Sequence, residues 1–349
     1  MQIQDPVLIP DVSVWCDHIN AKEFEDGGCE SVVVGLYPIT VNGKWQLNPV
    51  CRNQCIEVAT HSQMVLQAYF WDDITIDPVK QANWVADTIQ AEGLPVKFAW
   101  ADDEQWWTNW ATWANARAGK IPMTSVPHAT PANIYFHMLS FVQTLRSRFP
   151  PTGVYTNNGF VGSWAPEMNN WLPLYPGWVA EYAHEPKQVT AMSWAQLKQN
   201  WLPNYDIALA PGQIPAQVKG HQFTGDVCEL PGAYDQYGRQ QTLDVSVFSK
   251  AFIDAMRGGC APVPVQVPVP VPTPAQPAQP LYPAYKVNAG VNPYVHQQAS
   301  ALSKAIGVIM SGMVVVVDTA ANGYSHIQPV VGFPSGGWLY SSYLTKQGS

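Results

Sequence analysis

The chain has 349 residues, of which 47% are hydrophobic and only 13% charged, with 15 Trp and 15 Tyr; that composition excludes a disordered chain, and the length points to two domains, one large enough for an α/β barrel of roughly 250 residues. The net charge of −8 is uneven, +2 after Pro280 and −10 before it, which argues against nucleic acid as a partner. No run of 18 apolar residues occurs, and the N-terminal MQIQDPVLIP has no basic stretch followed by an apolar one, so a soluble chain without stable membrane insertion or a recognisable signal peptide is expected.

From residue 1 to 260, short apolar runs alternate with longer amphipathic stretches. The runs are 31–37 (SVVVGLY), 64–70 (MVLQAYF), 96–100 (VKFAW), 153–156 (GVYT), 177–182 (GWVAEY) and 220–224 (GHQFT). Between them the spacing predicts helices such as 79–91 and 132–148, the second opened by Thr130 as a cap before Pro131. Strand and helix in this rhythm predict a parallel sheet, and six or more repeats in about 250 residues predict a (β/α) TIM-like barrel, irregular in its repeats, rather than an open sheet. The six cysteines, Cys16, Cys29, Cys51, Cys55, Cys228 and Cys260, are too few for a disulfide scaffold. Cys51 and Cys55 are spaced to share a helix face, but no second pair stands at zinc-finger spacing. Buried free thiols are expected, with no metal.

Residues 261–283, APVPVQVPVPVPTPAQPAQPLYP, alternate proline with Val, Thr, Ala and Gln and carry no charge. Proline fixes φ and lacks an N–H, so the segment reads as a polyproline II spacer between domains 1–260 and 284–349. The last domain changes texture, with short β-type runs at 307–309, 313–317, 324–327 and 337–340 separated by Gly and Asn. That spacing predicts a small antiparallel barrel, with one or two helical turns at 299–306 left open.

In a parallel α/β barrel reactive groups collect at the carboxyl ends of the strands. Acidic residues directly after apolar runs are therefore the ones to weigh: Asp11 in IPDVSVW, Asp72 and Asp73 after AYFW, Asp102, Asp103 and Glu104 in FAWADDE, and Asp244 in LDVSVF. Strand alternation puts Asp102 and Glu104 on one side and Asp103 on the other. Two carboxylates on one face suit glycosidic cleavage, where an acid protonates the leaving oxygen and a second negative group stabilises an oxocarbenium-like transition state. Crowding of like charges keeps one of them protonated near neutral pH. An acidic cluster at a strand end also serves as a metal site or a solvated loop; Asp11 can instead close an Asx-turn or cap, and Asp244 can cap a helix before VFSKAF. Trp15, Trp71, Trp100, Trp106, Trp107, Trp164 and Trp178 lie at or beside strand ends, where an indole stacks on sugar or packs the core and rim. His221, opening HQFT, reads as a satisfied structural histidine.

The order DVS, AYF, an Asp-x-Glu at a strand end, GVYT, GWVAEY, and HQFT followed by LDVSVF resembles the glycoside hydrolase family 25 muramidases, the lysozymes of many phage lysins, across residues 10–248. The resemblance implies that Glu104 is the general acid, Asp102 its electrostatic or orienting partner, and Asp11 and Asp244 the further catalytic carboxylates. It places Tyr69 where the family keeps a sugar-contacting tyrosine; Trp100 and Tyr182 complete the expected substrate contacts. It also implies hydrolysis assisted by the substrate's own N-acetyl group, with no cofactor. Asp103 stands where the family usually has an apolar residue, and Cys16 and Asp17 where a Gln or Asn and a Gly often follow the first motif.

The C-terminal order VNAGVNPYV, MVVVVD, GYSHI and GGWLYSSYLT is similar to bacterial SH3-type wall-binding modules, although Val295, His296 and Gln297 replace the usual Arg-Ser-Gly. That similarity implies an SH3-like barrel binding stem or cross-bridge peptides of peptidoglycan through a groove including Tyr294, Tyr324 and Trp338. Together these readings predict a β-1,4-N-acetylmuramidase acting on the MurNAc-GlcNAc strands of the bacterial cell wall, as a phage endolysin with a holin partner or as a virion-associated lysin. The alternative is a catalytically inactive glycan-binding or virion structural protein on the same barrel.

Overall fold

The structure, a computed structural model, describes residues 1–183, 192–203, 205–258, 284–288, 293–300, 303–309, 314–327 and 336–346. They fall into two units, one within Met1–Val267 and one within Pro268–Ser349. The spacer predicted at 261–283, together with Cys260, lies outside the described residues.

In the first unit the strands are β1 Pro6–Val12, β2 His18–Ile19, β3 Ser31–Gly35, β4 Pro38–Val41, β5 Lys44–Leu47, β6 Val65–Trp71, β7 Phe98–Asp102, β8 Thr152–Asn157, β9 Gly177–Ala180, β10 Val218–Tyr234 and β11 Gln240–Ser249. The helices are α1 Ala21–Asp26, α2 Pro49–His61, α3 Pro78–Ala91, α4 Trp110–Arg117, α5 Pro131–Arg148, α6 Asn158–Trp164, α7 Trp194–Trp201 and α8 Lys250–Arg257. One sheet runs β11-β1-β3-β6-β7-β8-β9-β10-β2, and β10 also pairs with β11, so eight strands close a ring. Strands buried on both faces read as unbroken apolar runs: β3, SVVVG, is buried at every position.

Alternation divides each strand between two cores. Phe98 and Trp100 point inward with Ile9, Val33, Val65, Trp178 and Phe248, while Ala99 and Ala101 face the helical layer with Phe141, Val142 and Leu145 of α5. Helix starts follow local chemistry. Thr130 caps α5 by accepting from the Asn133 N–H at 3.2 Å, with Pro131 in the first turn, and Asp77 caps α3 through Lys80 N–H at 2.8 Å. Helix α8 sets Phe252, Ile253 and Met256 against the inner core, at the end where Pro6 of β1 pairs with Ser249 of β11.

The strand-helix repeat breaks at its last step. Strand β11 is antiparallel to both β1 and β10, because only a short turn joins it to β10 and parallel pairing needs a crossover of a dozen or more residues. The predicted run 220–224 is the start of a 17-residue strand, with register shifts at Gln222/Thr224, Thr224/Cys228 and Glu229/Tyr234. Asp244 therefore sits within a strand, and Ser249 caps the following helix α8. The hairpin β4–β5 turns at Asn42 and Gly43, both at positive φ, 52° and 73°, the backbone a two-residue type I′ turn requires. Cys16, Cys29, Cys51, Cys55 and Cys228 are buried thiols.

In the second unit β12 Ala284–Val287, β13 Tyr294–His296, β14 Ala305–Val308, β15 Val314–Ala321, β16 Tyr324–Ile327, β17 Gly337–Tyr340 and β18 Leu344–Lys346 form a sheet ordered β14-β13-β17-β16-β15-β12-β18. Every pairing described is antiparallel. Val287, Val295, Ile309, Val315, Val317, Ile327 and Leu339 make its core. Of the stretch left open at 299–306, residues 305 and 306 are strand, in β14, and 301–302 lie outside the described residues. Among the described residues no helix is long and apolar enough to cross a membrane.

Candidate active site

The carboxyl ends of the parallel ring strands and the amino-terminal half of the antiparallel β11 meet at a cleft of about 940 Å³ lined by Asp11, Tyr37, Tyr69, Asp102, Glu104, Gln222, Asp226 and Asp244, among others. Register accounts for the gathering. Asp11 of β1 pairs directly with Asp244 of β11, Asp102 of β7 lies between Trp71 of β6 and Tyr155 of β8, and Gln222 of β10 pairs with Ala180 of β9 and Ser246 of β11.

Asp102 ends β7 on its inward face and Glu104 follows two residues on; both line the cleft. Asp103 faces away, with none of its side chain exposed and neither carboxylate oxygen hydrogen-bonded. Glu104 Oε2 accepts from Asn157 Nδ2 at 3.2 Å, and Asn157 Oδ1 accepts from the Phe160 N–H at 2.7 Å as the cap of α6. The residue that starts the helix thus also holds the carboxylate. Asp102 Oδ1 is buried without a partner. Asp244 accepts from Gln222 Nε2 at 3.1 Å and from the Asp226 N–H at 2.6 Å, the latter presented by a left-handed residue at φ 50°.

Burial and mutual repulsion act on these acids in one direction. Desolvation raises Asp102 well above the usual carboxylate range, with Glu104, Asp103, Asp11 and Asp72 adding to it. Asp11 is raised well above that range by burial, then by Asp244, Asp226 and Glu104. Burial lifts Glu104, and its Asn157 hydrogen bond pulls it back. Asp244 is pushed up to about 7 by burial and by Asp226. Such a cluster cannot ionise fully, so it retains at least one transferable proton near neutral pH. The one cation lining the cleft among the described residues, Arg239, is spent on Asp235 at 2.6 Å.

Gln222, which the sequence reading quoted inside HQFT without assigning it, connects the acids. Its Nε2 donates to Asp11 Oδ2 and Asp244 Oδ2, both at 3.1 Å, and its Oε1 accepts from the hydroxyls of Tyr155 and Tyr182, both at 2.6 Å. Asp226, Tyr37 and Asn157 were also missed. Asn157 ends β8 as Asp102 ends β7, and Tyr155 pairs with Asp102 in register, so the rule that found the acids reaches them once amides and phenols are counted, whereas Gln222 lies within the long strand β10. His221, its neighbour, points away from the cleft; it is buried, with Nε2 2.9 Å from the Glu181 carbonyl, and burial lowers its pKa.

The expected substrate contacts fall in three different places. Tyr69 lines the cleft, its hydroxyl 3.2 Å from that of Tyr37. Tyr182 is 41% exposed and reaches the cluster through Gln222. Trp100 corrects the expectation: it is 0% exposed, two residues below Asp102 on the inward face, packed against Phe98, Trp178, Phe248 and Phe252, with its N–H donating to Gln67 at 2.8 Å. It packs beneath the cleft and is not among the residues that line it. Of the other indoles, Trp15, Trp71 and Trp178 line the cleft, and Trp106 and Trp164 stack on each other at 4.3 Å.

The model for Glycosyl hydrolases family 25 matches residues 10–226, a span that contains Asp11, Asp102, Glu104 and Gln222. Similar solved structures include the bacterial lysozyme from Streptomyces coelicolor, at 14% identity over 73% of this chain and 98% of that one, TM-score 0.48, and the muramidase from Trichobolus zukalii, at 15% over 72% and 99%, TM-score 0.47. The spore cortex lytic enzyme of Clostridium perfringens aligns at 13% identity over 99% of this chain and 98% of that one, TM-score 0.46. No curated protein matches the chain. The family match covers more than half of the sequence, and the chain belongs to glycosyl hydrolase family 25 as a glycoside hydrolase.

Proposed function

We propose that the chain is a lysozyme-type β-1,4-N-acetylmuramidase that cleaves MurNAc-GlcNAc strands of peptidoglycan. The observation that carries this reading is the convergence of Asp11, Asp102, Glu104 and Asp244 on one cleft, every one raised by burial. Glu104, partly exposed and positioned by Asn157, donates its proton to the glycosidic oxygen. Asp102 orients the substrate's acetamido group, whose oxygen attacks the anomeric carbon as the leaving sugar departs, and the carboxylates of the cluster that remain ionised stabilise the cation that develops. Asp11 and Asp244, joined through Gln222, share the cluster's remaining protons and negative charge. Tyr69 and Tyr182 contact the sugars at the rim.

In this reading the organisation is a catalytic domain at 1–260, a proline-rich tether at 261–283 and a wall-binding domain at 284–349. The last is SH3-like and takes stem or cross-bridge peptides, with Tyr294 63% exposed as a contact. A phage endolysin released through a holin, or a virion-associated lysin, accounts for a wall hydrolase with this modular order.

The test is mass analysis of fragments released from purified peptidoglycan, which should carry new reducing-end MurNAc. General acid catalysis contributes ~10²–10⁴-fold, so Glu104→Gln should lower turnover by about that factor with the fold intact. Asp102→Asn should also impair it. No fragments from the wild type, with glycan binding retained, would leave a binding scaffold in place of the enzyme.

A further inference from the structure

A second cavity, of about 310 Å³, adjoins the acidic cleft and shares Tyr37 and Trp71 with it. One wall is the β4–β5 side, carrying Trp45; the other is the segment after Glu104, carrying Gln105, Trp107 and Trp110; Asp73 lies between them. Trp110 is 53% exposed, although hydrophobic burial favours turning so large a ring inward.

Its position is held from several sides. Trp107 and Trp113 lie 5.5 and 5.0 Å from it and 5.1 Å from each other, and Trp71 lies 6.3 Å away. The segment bearing these rings is tied back by Thr108 N–H to the Pro127 carbonyl and by Ala129 N–H to the Trp106 carbonyl, both at 2.9 Å. Asn109 caps α4 through the Thr112 N–H at 2.9 Å. Gln105 Nε2 donates to the Trp107 carbonyl at 2.9 Å and to Asp73 Oδ1 at 3.3 Å. An indole immobilised before binding loses little entropy when it makes a contact. Flat aromatic faces beside a carboxylate and an amide match a pyranose, whose C–H face stacks on a ring while its hydroxyls reach polar atoms at the edge.

We propose that this groove is a distal binding site for the same N-acetylhexosamine strand, in which Trp110 stacks on a sugar ring beyond those held in the cleft. The inference rests on the glycan-cleaving reading of the cleft. Continuity selects the occupant: Trp71 pairs in register with Asp102, so a strand whose scissile bond lies at Glu104 passes Trp71 to reach Trp110. The volume holds one ring rather than a folded partner.

The test is calorimetric binding of β-1,4-linked N-acetylglucosamine oligomers of increasing length to the full chain, beside hydrolysis kinetics on short MurNAc-GlcNAc oligomers and on long solubilised glycan strands. Trp110→Ala should leave short-oligomer affinity and kcat unchanged, abolish the gain in affinity on lengthening, and raise KM for long strands about 5- to 30-fold. Trp110→Phe should keep most of that gain, and Met123→Ala, an exposed residue that lines neither cavity, should keep all of it. Equal affinity of wild type and Trp110→Ala at every length overturns the proposal, as does an equal loss at every length. Loss of binding to free stem peptide alone, with glycan affinity intact, assigns the groove to peptide and overturns it too. Absence of hydrolysis in the wild type counts against the enzyme reading only, since the length-dependent binding step is read without turnover.

Discussion

Asp103 offers a perturbation whose sign is worked from position alone. Its carboxylate is fully buried on the helix side of β7, with no hydrogen bond to either oxygen. Desolvation and the nearby Asp72 hold its pKa well above the usual range. Asp72 is itself fully buried; its Oδ1 lies 2.8 Å from both His137 Nε2 and Gln81 Nε2, while its Oδ2 has no partner. A carboxyl whose pKa is raised by folding holds its proton more tightly folded than unfolded. Its contribution is complete below the unfolded pKa of ~3.9 and is lost as pH climbs towards the raised value, at about 1.4 kcal/mol per pH unit. Asn at this position cannot ionise and brings N–H donors near the unpartnered Asp72 oxygen, against a cost of about 1–3 kcal/mol for any amide atom left unpaired. The net expectation for Asp103→Asn is a gain of about 1–2 kcal/mol at pH 8, or roughly 2–8 °C in Tm for a unit of this size, shrinking to nothing or reversing near pH 4. Thermal unfolding followed by circular dichroism from pH 4 to 8 measures it. Turnover on soluble glycan should change little, because the side chain faces away from the cleft. A Tm difference that does not vary with pH would refute the reasoning, as would a Tm loss that is largest at high pH.

Gln222→Glu should lower turnover on soluble fragments by about 10²-fold and reduce Tm, since it removes the donors to Asp11 and Asp244 and adds a further carboxylate between them; steady-state kinetics and calorimetry read the two effects separately. Limited proteolysis should separate a folded fragment ending near residue 260 from another beginning near 284, and one resistant species spanning both would count against the tether. Removal of residues 261–349 should weaken lysis of whole cells more than hydrolysis of soluble fragments, because tethering acts through effective concentration at the wall. Equal losses on both substrates would assign those residues a structural role in the hydrolase.

The parts of the fold that could be read in advance were those whose local chemistry agrees with their burial. SVVVG of β3 is buried on both faces and reads as one apolar run; α5 carries its own cap and its own proline. The β10–β11 hairpin could not be read this way. Its continuation past Thr224 passes Gly225 and Asp226, turn-type residues of which Asp226 is at a positive φ of 50°, and pairing with β11 resumes beyond them across several register shifts. That is also why a helix cap stood as an alternative reading of Asp244: the serine that caps α8 lies five residues further on. Alternation along FAWADDE separates Asp102 and Glu104 from Asp103, and the same alternation should have placed Trp100, on the inward face below Asp102, within the packed interior rather than at the rim. The aromatic content was visible, but which rings face outward depends on the segment at 105–129 folding back on itself, and that has no periodic signature.

The chemistry of the cleft depends on what joins its acids as much as on the acids themselves. A lysine or arginine at position 222 would also satisfy Asp11 and Asp244, but its charge would pull both carboxyls down and hold the cluster ionised. An amide donates to both without contributing charge, so burial and mutual repulsion keep the pKa values high, and its own oxygen is occupied by Tyr155 and Tyr182. Neutral connectors recur around the site: Asn157 holds Glu104, and a backbone N–H holds Asp244. Arg239, the nearby cation, is already matched by Asp235. The result is a pocket of negative potential with protons in reserve, positioned by groups that do not themselves titrate. That combination suits a reaction in which a proton must be given up while positive charge grows on the sugar a few ångströms away, because the field favouring the cation is present before the bond begins to break.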